Sequence, residues 1–369
     1  MIDLIVGTRP NLVKVAALIR AILNHNQIYR QPIDFRLIHT GQHYDETLSQ
    51  SFFDQLGLPA PDVNFRVGSG SQAEQLAQIV VSYEHYLKIQ GAPKLCIVVG
   101  DVNSTLACAL AAVKLGVAIA HVEAGIRSGD LSMPEEVNRI ATDAISTYFF
   151  TTTSIANQNL IGAGAEPQNI FLVGNTMIDT LTFAMAQSKT LTIEKSITRF
   201  IDKRYVVMTL HRPSNVDDSQ RLASLIADIR LTLPDDIPII FPVHPRTKSR
   251  LNDQVLSTKG LYFCPPLPYF EFMHIVSKSF FVITDSGGLS EETSFLNIPC
   301  ITLRSNTERP ETVELGTNTL VGEDRAVLKK TVSDILRGQY KKGSPIPYWD
   351  GRAGERIIDI VRILLGFQN

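Results

Sequence analysis

Short apolar runs that each end in a polar cluster recur along this chain of 369 residues. Continuous runs of Val, Ile and Leu are typical of buried parallel strands, and open α/β sheets bind ligands beyond the carboxyl ends of their strands. The pattern therefore predicts chemistry along one edge of each of two sheets. The runs are Ile2–Val6, Leu95–Val99, Val117–Val122, Tyr205–Leu210, Ile237–Val243 and Phe280–Thr284.

Segments with helical apolar spacing alternate with these runs, which predicts βαβ units and an α/β fold. A chain of this length exceeds one ordinary core, so we expect two domains. The predicted strand Ile170–Val173 ends in a glycine, after which the series of elements begins again. We therefore place the first domain at residues 1–174 and the second at 175–353. The amphipathic segment 354–369 predicts a helix that packs back on the first domain.

Composition excludes several classes of protein. Charged residues make up 20% of the chain and the net charge is −2, which argues against a general nucleic-acid or membrane-surface binder. The four cysteines lack metal-ligand spacing, so we expect reduced packing residues. The stretch Leu106–Val122 is broken by Lys114 and Gly116, and Met1–Val6 is predicted as a strand. We expect neither a membrane span nor a signal peptide, and hence a cytoplasmic protein.

Three carboxylates form the acidic set: Asp101, Glu123 and Glu135. The first two follow neighbouring predicted strands, so their side chains can converge, and paired carboxylates are the usual means of moving protons. Two plainer interpretations stay open. Asp101 could cap the following helix, and Glu135 could form an ordinary i,i+4 surface ion pair with Arg139.

A helix is predicted from Pro134, because proline is favoured at the first helical position. Apolar residues recur through it at helical spacing, and we expect them to form its buried face. These residues are Val137, Ile140, Ala141, Ala144 and Ile145.

The turn Asp285–Gly288 predicts a phosphate site. An apolar run ends there, two glycines allow close backbone approach, and a helix follows whose free N–H groups and dipole favour an anion. Glu291 or Glu292, one turn further on, could accept hydrogen bonds from ribose hydroxyls. The alternative is an ordinary tight turn with an acidic first helical turn.

Basic and imidazole side chains follow other runs. Arg9 could clamp a phosphate with Lys14 adding a charge one turn later, or the two could belong to a solvated basic helix start. His211 and His244 each follow a run of the second half, which suits acid/base work or phosphate contact. No metal is expected, since His, Cys and carboxylates lack ligand spacing.

Polar clusters such as these follow one another in a defined order along nearly the whole chain. They are Gly7–Pro10 with Lys14, Thr40–His43, Gly100–Ser104, His121–Arg127, Pro134–Glu136 with Asn138 and Arg139, Val173–Asn175, His211–Arg212, Pro242–Pro245, Asp285–Gly288 with Glu291 and Glu292, and Thr307–Glu311. The ordered set resembles the family of non-hydrolysing UDP-N-acetylglucosamine 2-epimerases.

The resemblance implies the GT-B fold, in which two Rossmann-like doubly wound domains face a cleft. It implies a homodimeric isomerase without metal or other cofactor. The implied reaction is the reversible conversion of UDP-GlcNAc to UDP-ManNAc, through elimination of UDP to a 2-acetamidoglucal intermediate and its re-addition. Activation by a second UDP-GlcNAc is implied as well.

The same resemblance implies residue roles. The catalytic residues would be Asp101, Glu123, Glu135 and His211. The residues that bind the UDP-sugar would be Arg9, Lys14, Arg139, His244, Ser286, Gly287, Gly288, Glu292 and Arg309. The regulatory residues would be Gln42, His43, Glu136 and Arg212.

Two departures from the family pattern bear on the sugar. Asn11 stands where many members have Glu, and Arg212–Asn215 stands where a second Arg and a Glu are common. They leave open an epimerase for a modified UDP-2-acetamido sugar. Further alternatives are a hydrolysing relative, a GT-B glycosyltransferase, which would not need the four catalytic residues together, and a non-catalytic UDP-sugar sensor.

Overall fold

The structure is a computed structural model that describes residues 1–41, 52–68, 70–187, 195–243, 245–248, 251 and 253–367. Its contacts divide the chain into two compact units, Met1–Thr180 with Pro347–Asn369, and Leu181–Ile346. The sequence predicted boundaries after residues 174 and 353. In the structure the first unit contains more residues than these boundaries give it. The first turn of the helix Thr176–Gln187 and the segment ahead of the C-terminal helix belong to it.

In the described part of the first unit, a parallel sheet has the strand order β3-β2-β1-β4-β5-β6-β7. Its strands are Ile2–Val6 (β1), Phe35–His39 (β2), Val63–Asn64 (β3), Leu95–Val99 (β4), Ile119–Val122 (β5), Tyr148–Thr151 (β6) and Ile170–Leu172 (β7). The helices are Arg9–Ile28, Gln72–Gln90, Asn103–Lys114, Pro134–Ile145, Ser154–Gly162, Thr176–Gln187 and Ala353–Leu364, with a 3₁₀ turn at Pro167–Asn169. The order reverses between β1 and β4, so the loops after β1, β4 and β5 share one edge.

The second unit, where described, has a parallel sheet with the order β10-β9-β8-β11-β12-β13. Its strands are Val206–Thr209 (β8), Ile239–Pro242 (β9), Leu261–Cys264 (β10), Phe281–Thr284 (β11), Cys300–Thr302 (β12) and Asn318–Leu320 (β13). The helices are Lys195–Ile201, Pro213–Val216, Ser219–Leu231, Pro245–Lys248, Asp253–Leu256, Tyr269–Ser277, Gly287–Phe295, Pro310–Glu314 and Arg325–Leu336. The reversal here lies between β8 and β11. Both sheets are doubly wound, which confirms the predicted α/β fold of two Rossmann-like domains.

The sheets are built from the predicted apolar runs. All five residues of β1 are buried, and its one charged residue, Asp3, accepts hydrogen bonds from Arg36 Nε at 2.6 Å and from the Tyr83 hydroxyl at 2.7 Å. The cysteines are all free and buried, as predicted: Cys96, Cys108, Cys264 and Cys300. None of the helices within the described ranges has the length and hydropathy that crossing a bilayer requires.

The C-terminal helix Ala353–Leu364 packs against the helix Arg9–Ile28 within the first unit. Asp179 caps it, accepting hydrogen bonds from the amides of Ala353 at 3.0 Å and Gly354 at 2.7 Å. The two helices approach closely at Gly354, where a Cβ atom would lie 2.7 Å from the Ala17 carbonyl oxygen.

Candidate active site

Asp101 and Glu123 follow the adjacent strands β4 and β5, which pair in register from Cys96 with Ile119 to Val99 with Val122. The two side chains therefore start from the same edge of the first sheet. The structure thus places the first two members of the predicted acidic set on neighbouring loops.

Asp101 is held by an arginine. Its Oδ2 accepts hydrogen bonds from Arg139 Nε at 3.0 Å and Nη2 at 2.5 Å, and the Arg139 side chain is 4% exposed. Val102, and not Asp101, is the N-cap residue of the helix Asn103–Lys114, and its side chain provides no cap. The carboxylate is thus oriented by a two-point contact with one guanidinium.

Glu123 is held by a lysine. Lys14 Nζ lies 2.5 Å from Glu123 Oε2, and both residues are buried, which excludes the interpretation of Lys14 as part of a solvated helix start. The backbone of Glu123 has φ 70°, a left-handed conformation that costs a non-glycine residue free energy. Gly100 (φ 71°) faces this pair, and a Cβ atom there would lie 3.0 Å from Lys14 Nζ. Strained backbone of this kind is concentrated at functional sites.

The helix Pro134–Ile145 begins at the predicted proline, but the prediction of its buried face is wrong. Its buried residues are polar: Glu136, Asn138, Arg139, Thr142 and Asp143. Val137 is 48% exposed and Ile140 is 41% exposed. The polar side chains face inward because the loops after β4 and β5 present backbone groups and charges that they bind.

Glu136 supports the loop after β5. Its carboxylate accepts hydrogen bonds from the amides of Ser128 at 2.9 Å and Gly129 at 3.0 Å, and from Arg139 Nη1 at 2.8 Å. Burial raises the pKa of Glu136, but these hydrogen bonds outweigh burial and lower it. The helix therefore pairs Arg139 with Glu136, at i,i+3 and in the interior. The alternative interpretation, a surface pair of Arg139 with Glu135, is wrong; Glu135 is exposed in the first turn.

The sequence analysis did not identify Asp143 as a residue of the site. Its Oδ1 lies 2.7 Å from His121 Nδ1, and its Oδ2 lies 2.6 Å from Arg127 Nη1 and 3.1 Å from the Gly125 amide. Burial raises the pKa of Asp143, but the contacts with His121 and Arg127 outweigh it and lower the pKa. Its position in the sequence could have indicated it, because Asp143 comes seven residues after Glu136 and so lies on the same face of the helix.

In the second unit, Asp285 is the fully buried residue that organises the end of β8. It accepts hydrogen bonds from the amides of His211 and Arg212, and from Asn215 Nδ2 at 3.0 Å. His211 Nδ1 lies 2.7 Å from Asp285 Oδ1, while 62% of the His211 side chain is exposed. Burial raises the pKa of Asp285, but these hydrogen bonds outweigh burial and lower it. The imidazole of His211 is thus fixed at one nitrogen and open at its other side.

The predicted phosphate turn ends β11. Ser286 is the N-cap of the helix Gly287–Phe295, and its Oγ accepts a hydrogen bond from the Leu289 amide at 3.5 Å. Ser286, Gly287 and Gly288 are each partly exposed. A Cβ atom on Gly287 would lie 2.5 Å from Glu308 Oε1, so a larger residue there would displace that carboxylate.

Two glutamates of this helix have different partners. Glu291 Oε1 lies 2.6 Å from Arg309 Nε, and both residues are buried. Glu292 Oε1 accepts a hydrogen bond from the Tyr269 hydroxyl at 2.6 Å. Burial, assisted by the nearby Glu291, raises the pKa of Glu292 to about 8.

The remaining predicted residues are placed as follows. Arg9 is half-buried in the first turn of its helix, with its guanidinium carbon 5.8 Å from the centre of the Phe52 ring. Asn11 is buried and donates to the Val99 carbonyl at 2.8 Å, which ties the first helix to the end of β4. Gln42, His43 and His244 lie outside the described residues.

A cavity of about 470 Å³ lies within the second unit, beside Asn215. Four of its charged lining residues pair with one another, Arg221 with Glu323 at 2.5 Å and Arg325 with Asp228 at 2.9 Å. It is therefore a less suitable ligand site than the strand ends. Among the described residues, no group of three His, Cys, Asp or Glu side chains has the geometry to hold a metal ion.

Comparison with known proteins identifies the family. The model of the UDP-N-acetylglucosamine 2-epimerase family matches residues 26–362. The UDP-N-acetylglucosamine 2-epimerase of Methanocaldococcus jannaschii is 42% identical over 98% of both chains. The UDP-2,3-diacetamido-2,3-dideoxy-D-glucuronate 2-epimerase of Pseudomonas aeruginosa is 35% identical over 96% of this chain and 97% of that protein.

A solved structure agrees in fold over the same length. The crystal structure of the M. jannaschii UDP-GlcNAc 2-epimerase, in complex with UDP-GlcNAc and UDP, superposes with a TM-score of 0.87 at 40% identity, covering 98% of this chain and 99% of that one. Family match, sequence identity and fold therefore lead to one conclusion. This chain belongs to the UDP-N-acetylglucosamine 2-epimerase family.

Proposed function

We propose that the protein interconverts UDP-GlcNAc and UDP-ManNAc by inverting carbon 2 of the sugar. Membership of the family supports this activity. The observation that carries the proposal is the pair of carboxylates at adjacent strand ends, Asp101 on Arg139 and Glu123 on Lys14. Such a pair is suited to proton transfer.

The chemistry requires a leaving group. The hydrogen on carbon 2 is not adjacent to a carbonyl, so simple removal and return of the proton is not feasible. In the proposed reaction a carboxylate takes this proton, the C–H electron pair forms the C1–C2 double bond, and the C1–O bond breaks as UDP leaves with its electrons. UDP then adds back to carbon 1 of the 2-acetamidoglucal while carbon 2 receives a proton on the opposite face.

In the first unit, we propose Asp101, Glu123 and Glu135 for acid/base work or for stabilising positive charge at carbon 1. Lys14 and Arg139 would act by holding the first two carboxylates in place, since each makes a contact of 2.5 Å with one of them. The exposed position of Glu135 is compatible with a substrate that arrives from solvent.

In the second unit, we propose that the helix beginning at Gly287, together with Ser286 and Gly288, binds the diphosphate through free amides and the helix dipole. Arg309 and Glu292 would complete the UDP contacts, with Arg9 and His244 at the phosphates. His211, open at one side, would contact the leaving group. Strong stabilisation of the departing UDP is what the elimination needs.

We propose that the protein is a homodimer. The helix Pro134–Ile145 exposes Val137 and Ile140 to solvent. In the helix Gln72–Gln90, Val81 is 64% exposed. A helix whose interior face is polar and whose outer face is apolar is explained most simply by a second copy that covers the apolar face.

We also propose activation by a second UDP-GlcNAc and a cytoplasmic location. Activation rests on the family resemblance at Gln42, His43, Glu136 and Arg212. It predicts sigmoidal dependence of rate on UDP-GlcNAc and two bound ligands per chain. Hyperbolic kinetics with one ligand bound per chain would contradict it.

A modified sugar remains the second candidate, because the P. aeruginosa diacetamido-glucuronate 2-epimerase is 35% identical. Kinetics with the two UDP-sugars as alternative substrates distinguishes the candidates. We expect kcat/KM for UDP-GlcNAc to exceed that for the diacetamido-glucuronate at least about tenfold, the scale of a modest difference in pocket contacts. The reverse ratio would make the modified UDP-sugar, and not UDP-GlcNAc, the substrate of this protein.

A further inference from the structure

We infer that Asp143, acting through His121 and Gly125, is a positioning residue for both carboxylates of the first unit. The inference rests on the proposed function. It assigns a role in the reaction to a side chain that lies beneath the substrate-facing loops and is itself buried.

Asp143 reaches the Asp101 loop through His121. The His121 side chain lies inside β5 with no exposed surface, Nδ1 2.7 Å from Asp143 Oδ1 and Nε2 2.8 Å from the Gly100 carbonyl oxygen. Gly100 directly precedes Asp101, so the chain of contacts ends one residue from the carboxylate. Hydrogen bonds that orient the contacting groups of a site from outside can change activity about 10- to 100-fold, as the outer partners of metal ligands do.

Asp143 reaches the Glu123 loop through its second oxygen. Oδ2 accepts a hydrogen bond from the Gly125 amide at 3.1 Å and lies 2.6 Å from Arg127 Nη1. Glu123, two residues before Gly125, has φ 70°. A strained backbone persists only where its surroundings hold it, and the Gly125–Asp143 contact is one such restraint.

Both partners of His121 are fixed in the interior. One ring nitrogen lies 2.7 Å from Asp143 Oδ1 and the other lies 2.8 Å from the Gly100 carbonyl oxygen. His121 therefore links Asp143 directly to the backbone beside Asp101. An asparagine at position 143 keeps the shape of the side chain but replaces one of the two carboxylate oxygens that hold His121 and Arg127.

A matched control lies in the same sheet, near the end at which its strands begin. Asp3 is a fully buried aspartate with a basic partner, Arg36, and it lies near the amino end of β1. Asp3→Asn removes a buried charge from the same sheet, as Asp143→Asn does, but without touching the loops after β4 and β5. General destabilisation is thus separated from positioning.

The test compares steady-state kinetics of the two variants on UDP-GlcNAc. For Asp143→Asn we expect kcat to fall about 10- to 100-fold, with KM changed less than about twofold. For Asp3→Asn we expect a lowered Tm and an unchanged kcat. Equal kcat values for Asp143→Asn and wild type, or equal losses in both variants, would overturn the inference. Wild type without activity on UDP-GlcNAc would instead overturn the proposed function.

A second measurement does not depend on any variant folding. ¹⁵N-histidine NMR of the wild-type protein should show a ring N–H of His121 that exchanges slowly with solvent, as a hydrogen bond to a buried acceptor requires. A His121 ring whose N–H groups exchange freely with solvent would overturn the arrangement.

Discussion

Lys14 Nζ lies 2.5 Å from Glu123 Oε2, although 109 positions of sequence separate the two residues. The contact joins the first helix of the chain to the loop after β5. Arg139 makes the corresponding contact with Asp101 after β4. Each carboxylate is thus held by one cation from a different helix, which is the preorganised geometry that the proposed proton transfer needs.

The Lys14–Glu123 pair should be strongly coupled in stability. Removing one partner leaves a buried charge uncompensated, so we expect Lys14→Met to cost about 3–5 kcal/mol of the free energy of unfolding. Lys14→Met combined with Glu123→Gln should recover part of this loss, because no unpaired charge then remains. Urea unfolding of the wild type, both single variants and the double variant measures the coupling. Strictly additive effects would contradict it.

Asp101→Asn tests the acid/base role. The amide keeps the shape of the carboxylate but cannot take a proton, so we expect kcat to fall at least about 100-fold. UDP binding, measured by calorimetry, should change by less than about threefold, since Asp101 makes none of the proposed contacts with that ligand. Glu84→Gln, at an exposed ion pair with Lys88, is the control and should leave kcat unchanged. An Asp101→Asn enzyme with full activity would remove Asp101 from the mechanism.

Glu292 should make stability depend on pH. Its pKa is raised by burial to about 8, from an ordinary 4.5. Between these pH values the carboxyl is protonated in the folded protein and ionised in the unfolded protein. Its contribution to the free energy of unfolding is therefore full below pH 4.5 and is lost as the pH rises to 8. In Glu292→Gln the decline in unfolding free energy across this window should be shallower, by up to about 1.4 kcal/mol per pH unit. Parallel profiles for the two proteins would exclude the raised pKa.

Ile140→Asp tests the proposed dimer. A carboxylate on the exposed apolar face of the helix Pro134–Ile145 would have to be buried without a partner in the interface. We expect the wild type to scatter light with twice the chain mass of 40.8 kDa, and the variant to shift toward that of one chain. Leu231→Asp, at an 84% exposed position in the second unit, should leave the mass unchanged. A monomeric wild type would contradict the proposal.

Most strands could be predicted because their apolar runs are continuous. The sequence analysis did not identify β2, in which Arg36 interrupts the run, or β13, which begins Asn318-Thr319. It also missed the two-residue strand β3 and the strand β10. Arg36 is tolerated inside a sheet because Asp3, 33 residues earlier, accepts two of its hydrogen bonds. Such partners become visible only when the strands are paired.

The face of the helix Pro134–Ile145 could not be chosen from its sequence. Its apolar and its polar residues both recur at helical spacing, and we assumed that the apolar set is buried. The choice depends on the neighbours: the Asp101 carboxylate and the amides of Ser128, Gly129 and Gly125 need polar partners. The family pattern identified the carboxylates and also Lys14 and Arg139, whereas the pairing of each cation with its carboxylate, and the contacts of Asp143, required the fold.

The most direct test of the account is proton NMR of the purified protein with UDP-GlcNAc in deuterium oxide. Elimination and re-addition predict that UDP-ManNAc appears and that deuterium enters carbon 2 of both epimers, because each passage through the 2-acetamidoglucal exchanges that hydrogen with solvent. Release of free ManNAc and UDP in equal amounts, or UDP-ManNAc that retains its original hydrogen at carbon 2, would contradict the account.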